Sequence, residues 1–315
     1  MNDGLFTKIA EADQRIRPEA VETPLERSPG LSRLTGAEVH LKWEDRQVTG
    51  SFKFRGALNK IRLLSEEERR RGAVTASTGN HGLAASLAAR REGLELTLVL
   101  PASVTAEKRR RLAGTGTAIL ELGETCEQAE IAARRLARDT GRVYISPYND
   151  EDVIAGQGTI GVEIVRRLPR AGTVLVPVGG GGLVCGIASF LKSPRKGVEV
   201  LGVEPETSAF MAASLAAGRI VEIDEGETVA DAVAGGLEPG SITFTLCREL
   251  LDGIVSVREQ SIRDAMLALF ERHDRMVEGA GALALAALLE AKPRFRGRTV
   301  VLIVSGGNVS PNSFR

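Results

Sequence analysis

Short apolar runs recur along the chain, and the segments between them carry apolar residues three and four positions apart. "AVTAS" (73–77) precedes the helical "LAASLAARREG", and "LTLVLP" precedes "TAEKRRRLAGTG", with "AILEL" following. The helical "CEQAEIAARRLARDTG" leads into "VYIS". Later "TVLVPV" precedes "LVCGIASFLK", "VEVLGVE" follows, and "TVVLIVS" closes the series. Apolar runs without alternation predict strands covered on both faces, and strand–helix–strand repetition predicts the α/β class. There are more such runs than one modest lobe requires. The expected architecture is therefore two open, twisted, mainly parallel sheets covered by helices.

A length of 315 residues accommodates two lobes. Lys+Arg and Asp+Glu both number 41, so no basic surplus argues for a nucleic-acid partner. The block "EEERRR" (66–71) reads as a solvated helix end. Cys126, Cys185 and Cys247 are scattered and form no CxxC or Cys/His cluster, which argues against structural zinc and a disulfide framework. The amino-terminal "MNDGLFTKIAEADQRI" has no apolar signal core, and no run approaches the roughly 18 apolar residues of a membrane span. These features predict a reduced, soluble, cytoplasmic protein with no membrane partner.

The segment "VTGSFKFRGALNK" (48–60) opens a helix whose buried face is Phe54, Ala57, Leu58, Ile61 and Leu64, with Ser51 as its expected cap. Lys53 then falls in the first turn, where the positive end of the helix dipole repels a cation. Its placement calls for a reason other than helix stability.

Ligands on open parallel sheets sit in the loops that leave the carboxyl ends of strands. "STGNHG" (77–82) offers small residues and free backbone N–H groups at a helix start, with Ser77, Thr78 and Asn80 as side-chain partners. "VGGGGL" (178–183) places four glycines where a backbone approaches a phosphate, and it lacks the GK[ST] ending of a nucleotide loop. Glu204 ends a strand, Ser305 opens the turn "SGGN", and Glu278 stands at the start of the apolar helix "VEGAGALALAALLEA". Glu278 there is either paired with the helix start or kept for proton chemistry. A phosphate cradle, an anion-binding turn with Asn, a strand-end Ser and an unusual Lys are the parts that pyridoxal phosphate requires. Its aldehyde takes a lysine amine as a Schiff base, and its phosphate takes N–H groups.

In order and spacing, "SFKFRGA", "STGNHG", "VIAGQGTIGVEI", "VGGGGL", "VEP" and "SGGN" resemble the serine/threonine dehydratases and serine racemases of the fold-type II pyridoxal-phosphate enzymes, over nearly the whole chain. The resemblance implies a tryptophan-synthase-β-like fold. Residues 1–71 plus 150–315 would form a large cofactor domain, and residues 72–149 a small substrate-carboxylate domain. Lys53 would carry pyridoxal 5'-phosphate and serve as base at Cα, with Phe52 packed beside the cofactor. Asn80 would bond the ring hydroxyl. Gly179, Gly180, Gly181, Gly182 and Leu183 would donate N–H groups to the phosphate. Ser305 would face the ring nitrogen without holding it protonated, which suits β-elimination. Ser77, Thr78, Gly79, Asn80 and His81 would clamp the substrate carboxylate. The implied reaction is dehydration and deamination of a β-hydroxy amino acid, L-threonine or L-serine, to a 2-oxo acid and ammonia, by a homodimer.

Two positions depart from the pattern. The family's racemases carry a second serine where Thr78 stands, so Thr78 is the expected proton-handling hydroxyl and racemisation a side reaction. The family's divalent metal site would use Glu204 and Ser208, but Phe210 replaces the expected Asp and cannot ligate. A divalent or monovalent cation, or none, remains the expectation there. Alternative readings are a related dehydratase acting on 3-hydroxyaspartate or a hydroxyectoine-derived amino acid, and a serine racemase. Outside this class stand a nicotinamide-dependent oxidoreductase, resting on a partial glycine fingerprint with Glu204, and a non-catalytic binding module.

Overall fold

Ten strands form two sheets in the computed structural model, which describes residues 3–192 and 197–309. They are β1 (Leu25–Arg27), β2 (Glu38–Trp43), β3 (Ala73–Ala76), β4 (Leu96–Leu100), β5 (Ala118–Glu121), β6 (Val143–Tyr144), β7 (Thr173–Pro177), β8 (Glu199–Pro205), β9 (Gly253–Val257) and β10 (Thr299–Val304). The larger sheet has the order β1-β2-β10-β7-β8-β9, and the smaller the order β5-β4-β3-β6. Every pairing is parallel except β1 against β2. The seven apolar runs read from the pattern all became strands. β1, β2 and β9 were not anticipated.

Burial on both faces explains the unbroken apolar runs of the inner strands, whereas β5, expected to be covered, lies largely exposed at the edge of the smaller sheet. Along β10, Val300, Leu302 and Val304 enter one core with the helix Gly279–Glu290. Val301 and Ile303 enter the other, with the helices Glu151–Arg167 and Gly182–Leu191. Each such side chain is fully or almost fully buried, and its burial is worth about 1.5–3 kcal/mol. Cys185 and Cys247, distant in sequence, meet as free thiols in the second of these cores, with Val301 and Ile303, their Sγ atoms 3.4 Å apart.

Strand order fixes where a ligand can lie. The chain runs β7, β8, β9 in one direction and returns to place β10 on the other side of β7. The smaller sheet likewise runs β3, β4, β5 one way and places β6 on the other side of β3. Each reversal leaves a crevice at the carboxyl ends of the strands. The glycine loop follows β7 and Ser305 follows β10. The "STGNHG" turn follows β3, and Pro147 lies just past β6.

Candidate active site

The helix Lys53–Leu63 starts later than its sequence implies. Phe52 occupies the cap position, with no side-chain capping bond, and Lys53 is the first helical residue. Ser51 does not cap. It forms a bridge with Gly306 instead, and the Phe52 N–H donates to the Ser305 carbonyl at 3.1 Å. Pairing to the end of β10 outcompetes capping here, and it seats Lys53 beside Ser305.

A pocket of about 460 Å³, part of it open to solvent, is walled by Phe52, Lys53, Asn80, Tyr148, Gly179 to Leu183, Glu278 and Ser305, among others. The Lys53 amine donates to the Pro147 carbonyl at 2.8 Å and lies 5.2 Å from the centre of the Phe52 ring. Burial pushes its pKa down to about 8, against the opposing pull of Glu130 and Glu278. Lys53 is thus poised to lose its proton near neutral pH.

The glycine loop is shaped by close packing. A Cβ on Gly180 would come within 2.3 Å of the Tyr148 ring. Gly181 has φ +85° and caps the helix Gly182–Leu191 with no side-chain bond, so the first N–H groups of that helix remain available to an anion. Thr243 Oγ1 donates to the Gly180 carbonyl at 2.7 Å and braces the loop. Leu183 is buried.

Asn80 is the first residue of the helix Asn80–Arg91, and its Nδ2 donates to Glu278 Oε1 at 2.7 Å. Glu278 offers no cap to its own helix; burial raises its pKa to about 7, partly offset by the Asn80 bond. Ser77, Thr78 and Gly79 form the half-buried turn before Asn80, with the Gly79 N–H donating to Ser77 Oγ at 3.2 Å. The His81 ring is turned into the fold, with Nε2 3.0 Å from Thr75 Oγ1 and 3.2 Å from the Ile145 carbonyl. Burial, aided by Lys53, holds it neutral, with a pKa of about 3. Its backbone N–H remains as the group it can offer an anion.

Glu204 and Ser208 lie apart from this wall. Both Glu204 oxygens accept backbone N–H groups at 2.9 Å, from Met211 and Ala212, at the start of the helix Phe210–Ala217. Ser208 donates to Glu225 at 2.7 Å, and Phe210 is buried. Among the described residues no group of three or more His, Cys, Asp or Glu side chains is placed to hold a metal. The Glu204 oxygens occupied in this way are the ones the dinucleotide reading would need free for a ribose.

Tyr148 escaped the sequence reading, and Asn308 stood in the turn "SGGN" with no role of its own. Tyr148 follows β6 in "PYNDED", and its place just past a strand end was the available signal. Its hydroxyl accepts the Glu238 N–H at 2.9 Å, which fixes the ring against Gly180.

A glycine-lined cradle, an enclosed amine and a strand-end hydroxyl at paired switch points define an α/β enzyme built to hold a phosphorylated aldehyde. The residues present fit pyridoxal phosphate: cradle for phosphate, amine for aldehyde, Asn80 for the ring oxygen, Ser305 for the ring nitrogen. The chain belongs to the pyridoxal-phosphate dependent enzyme family, whose model matches residues 16–306. It is 43% identical over 304 residues to an L-threonine ammonia-lyase of Thermotoga maritima, covering 96% of this chain and 75% of that protein. It is 40% identical to the catabolic L-threonine dehydratase of Escherichia coli K12, covering 96% and 92%. Processed threonine deaminase isoform 2 from Solanum lycopersicum superposes with TM-score 0.94 at 35% identity, covering 99% and 92%. Maize serine racemase gives 0.92 at 34%, covering 98% and 94%.

Proposed function

We propose that this chain is a pyridoxal-phosphate-dependent lyase that removes water from L-threonine or L-serine and releases a 2-oxo acid and ammonia. The observation that carries this is the enclosed Lys53 amine, with its pKa of about 8, in one wall with the glycine cradle and Ser305. The curated relatives support the substrate class, since two at 43% and 40% identity are named an L-threonine ammonia-lyase and an L-threonine dehydratase.

When bound, the cofactor supplies the electron withdrawal that makes the Cα proton of an amino acid removable. The helix N-terminus at Gly181–Leu183 binds its phosphate, Asn80 orients its ring oxygen, and Ser305 meets its ring nitrogen with a neutral hydroxyl. Ser77, Thr78 and the N–H groups of Gly79, Asn80 and His81 hold the substrate carboxylate and so fix which hydrogen faces Lys53. Lys53 accepts the Cα proton at Nζ. The Cα–H electron pair then expels the β-hydroxyl, which takes up the proton held on Lys53 Nζ and leaves as water. The released enamine hydrolyses to the oxo acid and ammonia. Thr78 places a hydroxyl on a β-branched side chain beside the carboxylate site, which favours elimination over reprotonation from the opposite face.

We assign residues 1–71 plus 150–315 to a cofactor domain and residues 72–149 to a carboxylate-binding domain. We also take the working form to be a cytoplasmic homodimer. No described helix is long and apolar enough to cross a membrane.

The purified protein with pyridoxal phosphate is expected to absorb in the visible. Borohydride should fix the cofactor on the Lys53 peptide, and Lys53→Ala should lose the band and at least about a thousandfold in rate. Oxo-acid release is measured over L-threonine, L-serine, 3-hydroxyaspartate and a hydroxyectoine-derived amino acid. No band and no borohydride adduct in wild type would sink the reading. Inverted serine without oxo acid would replace it with racemisation.

A further inference from the structure

Four side chains form one directed hydrogen-bond chain that ends in the pocket wall. Arg111 Nη2 donates to Asn308 Oδ1. Asn308 Nδ2 donates to the Thr49 carbonyl at 2.7 Å and to Asn80 Oδ1 at 2.8 Å. Asn80 Nδ2 donates to Glu278 Oε1 at 2.7 Å. The direction is set at the start of the chain, because a guanidinium only donates and a backbone carbonyl only accepts. One orientation of the Asn308 amide satisfies both. It hands an N–H to the Asn80 oxygen, so the Asn80 NH2 group faces Glu278 and keeps its second N–H for a ligand.

The chain also crosses between the sheets. Arg111 lies on the helix Ala106–Ala113, in the crossover from β4 to β5, whereas Asn308 follows β10. The same helix makes a second tie, from Lys108 to Asp231 at 3.0 Å, beside the pocket-lining Ala232 and Val233.

We propose that Arg111 is a positioning residue for the cofactor's ring oxygen: acting through Asn308, it holds the Asn80 amide with its NH2 group toward the pocket. This rests on the pocket being the pyridoxal-phosphate site. Asn80 alone could present either its oxygen or its NH2 group to a ring oxygen, and the oxygen would repel it. Arg111 and the Thr49 carbonyl, acting together through Asn308, remove that choice. The charged groups acting on Glu278, at the far end, are Lys53, Asp231, Arg111 and Lys108, so losing Arg111 leaves three of the four in place.

Arg111 is exposed, which makes Arg111→Ala safe for folding, and Arg111→Lys keeps a cationic donor. Holoenzyme variants are compared by pyridoxal-phosphate dissociation constant, by pH titration of the visible band, and by apoprotein thermal midpoint. Arg111→Ala is expected to weaken cofactor binding about five- to tenfold. The band should titrate at higher pH, because the ring oxygen anion has lost its fixed donor. The apoprotein midpoint stays unchanged, and Arg111→Lys stays near wild type. A variant that binds and titrates like wild type overturns the proposal. So does a weakened affinity matched by a fallen apoprotein midpoint and not relieved by Arg111→Lys. A wild type with no visible band fails one step earlier, at the cofactor reading, and is distinguished by that.

Discussion

Glu278 is held against its own chemistry. It is 7% exposed, lines the pocket, and has an amide as its hydrogen-bond partner where a buried carboxylate ordinarily has a cation. Burial raises its pKa from 4.5 to about 7, so the native state binds more protons than the unfolded chain between those values. Below about pH 4.5 both states are protonated and burial adds no ionisation cost. As pH rises from there to about 7, stability falls, by up to about 3 kcal/mol. Glu278→Gln keeps an oxygen for Asn80 and cannot ionise. Urea denaturation of the apoprotein should find the variant more stable than wild type at pH 8 and close to it near pH 4.5. A gain of equal size at both pH values would refute this. Persistence of an unfavourable acid in the wall fits a site whose groups exchange protons close to neutral pH, as the Lys53 amine with its pKa of about 8 also can.

The helix that carries Lys53 is held by charge as much as by apolar packing. Two residues on, Arg55 is 1% exposed and donates to Glu44 at 2.8 and 2.9 Å and to Glu163 at 2.6 and 3.0 Å. Lys42 completes the cluster, donating to Glu163 and, at 2.6 Å, to the Thr23 carbonyl. Two cations balance two anions, so removing one partner strands a buried charge. Arg55→Leu should cost about 3–5 kcal/mol, and adding Glu163→Leu should recover part of that loss. Chemical denaturation of the three proteins checks it, and a single-variant cost under about 1 kcal/mol would rule it out. The same cluster shows what the sequence withheld. β4, β7 and β10 were legible because apolar neighbours cover both their faces. β2, "EVHLKW", was not: Lys42 is buried by a partner 121 residues away, and no local pattern encodes that. Lys53 stood out because it was locally unfavourable, and the glycine loop because its composition was costly. The bond from Asn80 to Glu278, 198 residues apart, left no local trace, although each residue drew notice alone.

The two sheets meet across the pocket, and each brings a switch point to it. One places the glycine loop and Ser305, the other the "STGNHG" turn and Pro147, so two sets of polar groups face one crevice from opposite sides. The seam is tied by side chains that reach across it. Arg134, on the helix Cys126–Thr140 of the smaller sheet, pairs with Glu238 on the other side and with Glu130 at 2.6 Å on its own helix. The Glu238 N–H in turn donates to the Tyr148 hydroxyl, behind Gly180. Arg134 is 35% exposed, so its pairs contribute at most about 1 kcal/mol to overall stability. Their larger effect falls on how the two sides are held together. Arg134→Ala should leave the global unfolding free energy nearly unchanged and speed amide exchange in the helix Cys126–Thr140. It should also raise KM for L-threonine severalfold, with a smaller change in kcat, because the "STGNHG" turn and the glycine loop then meet less often in register. Exchange and KM both at wild-type values would mean that the seam is held by packing alone.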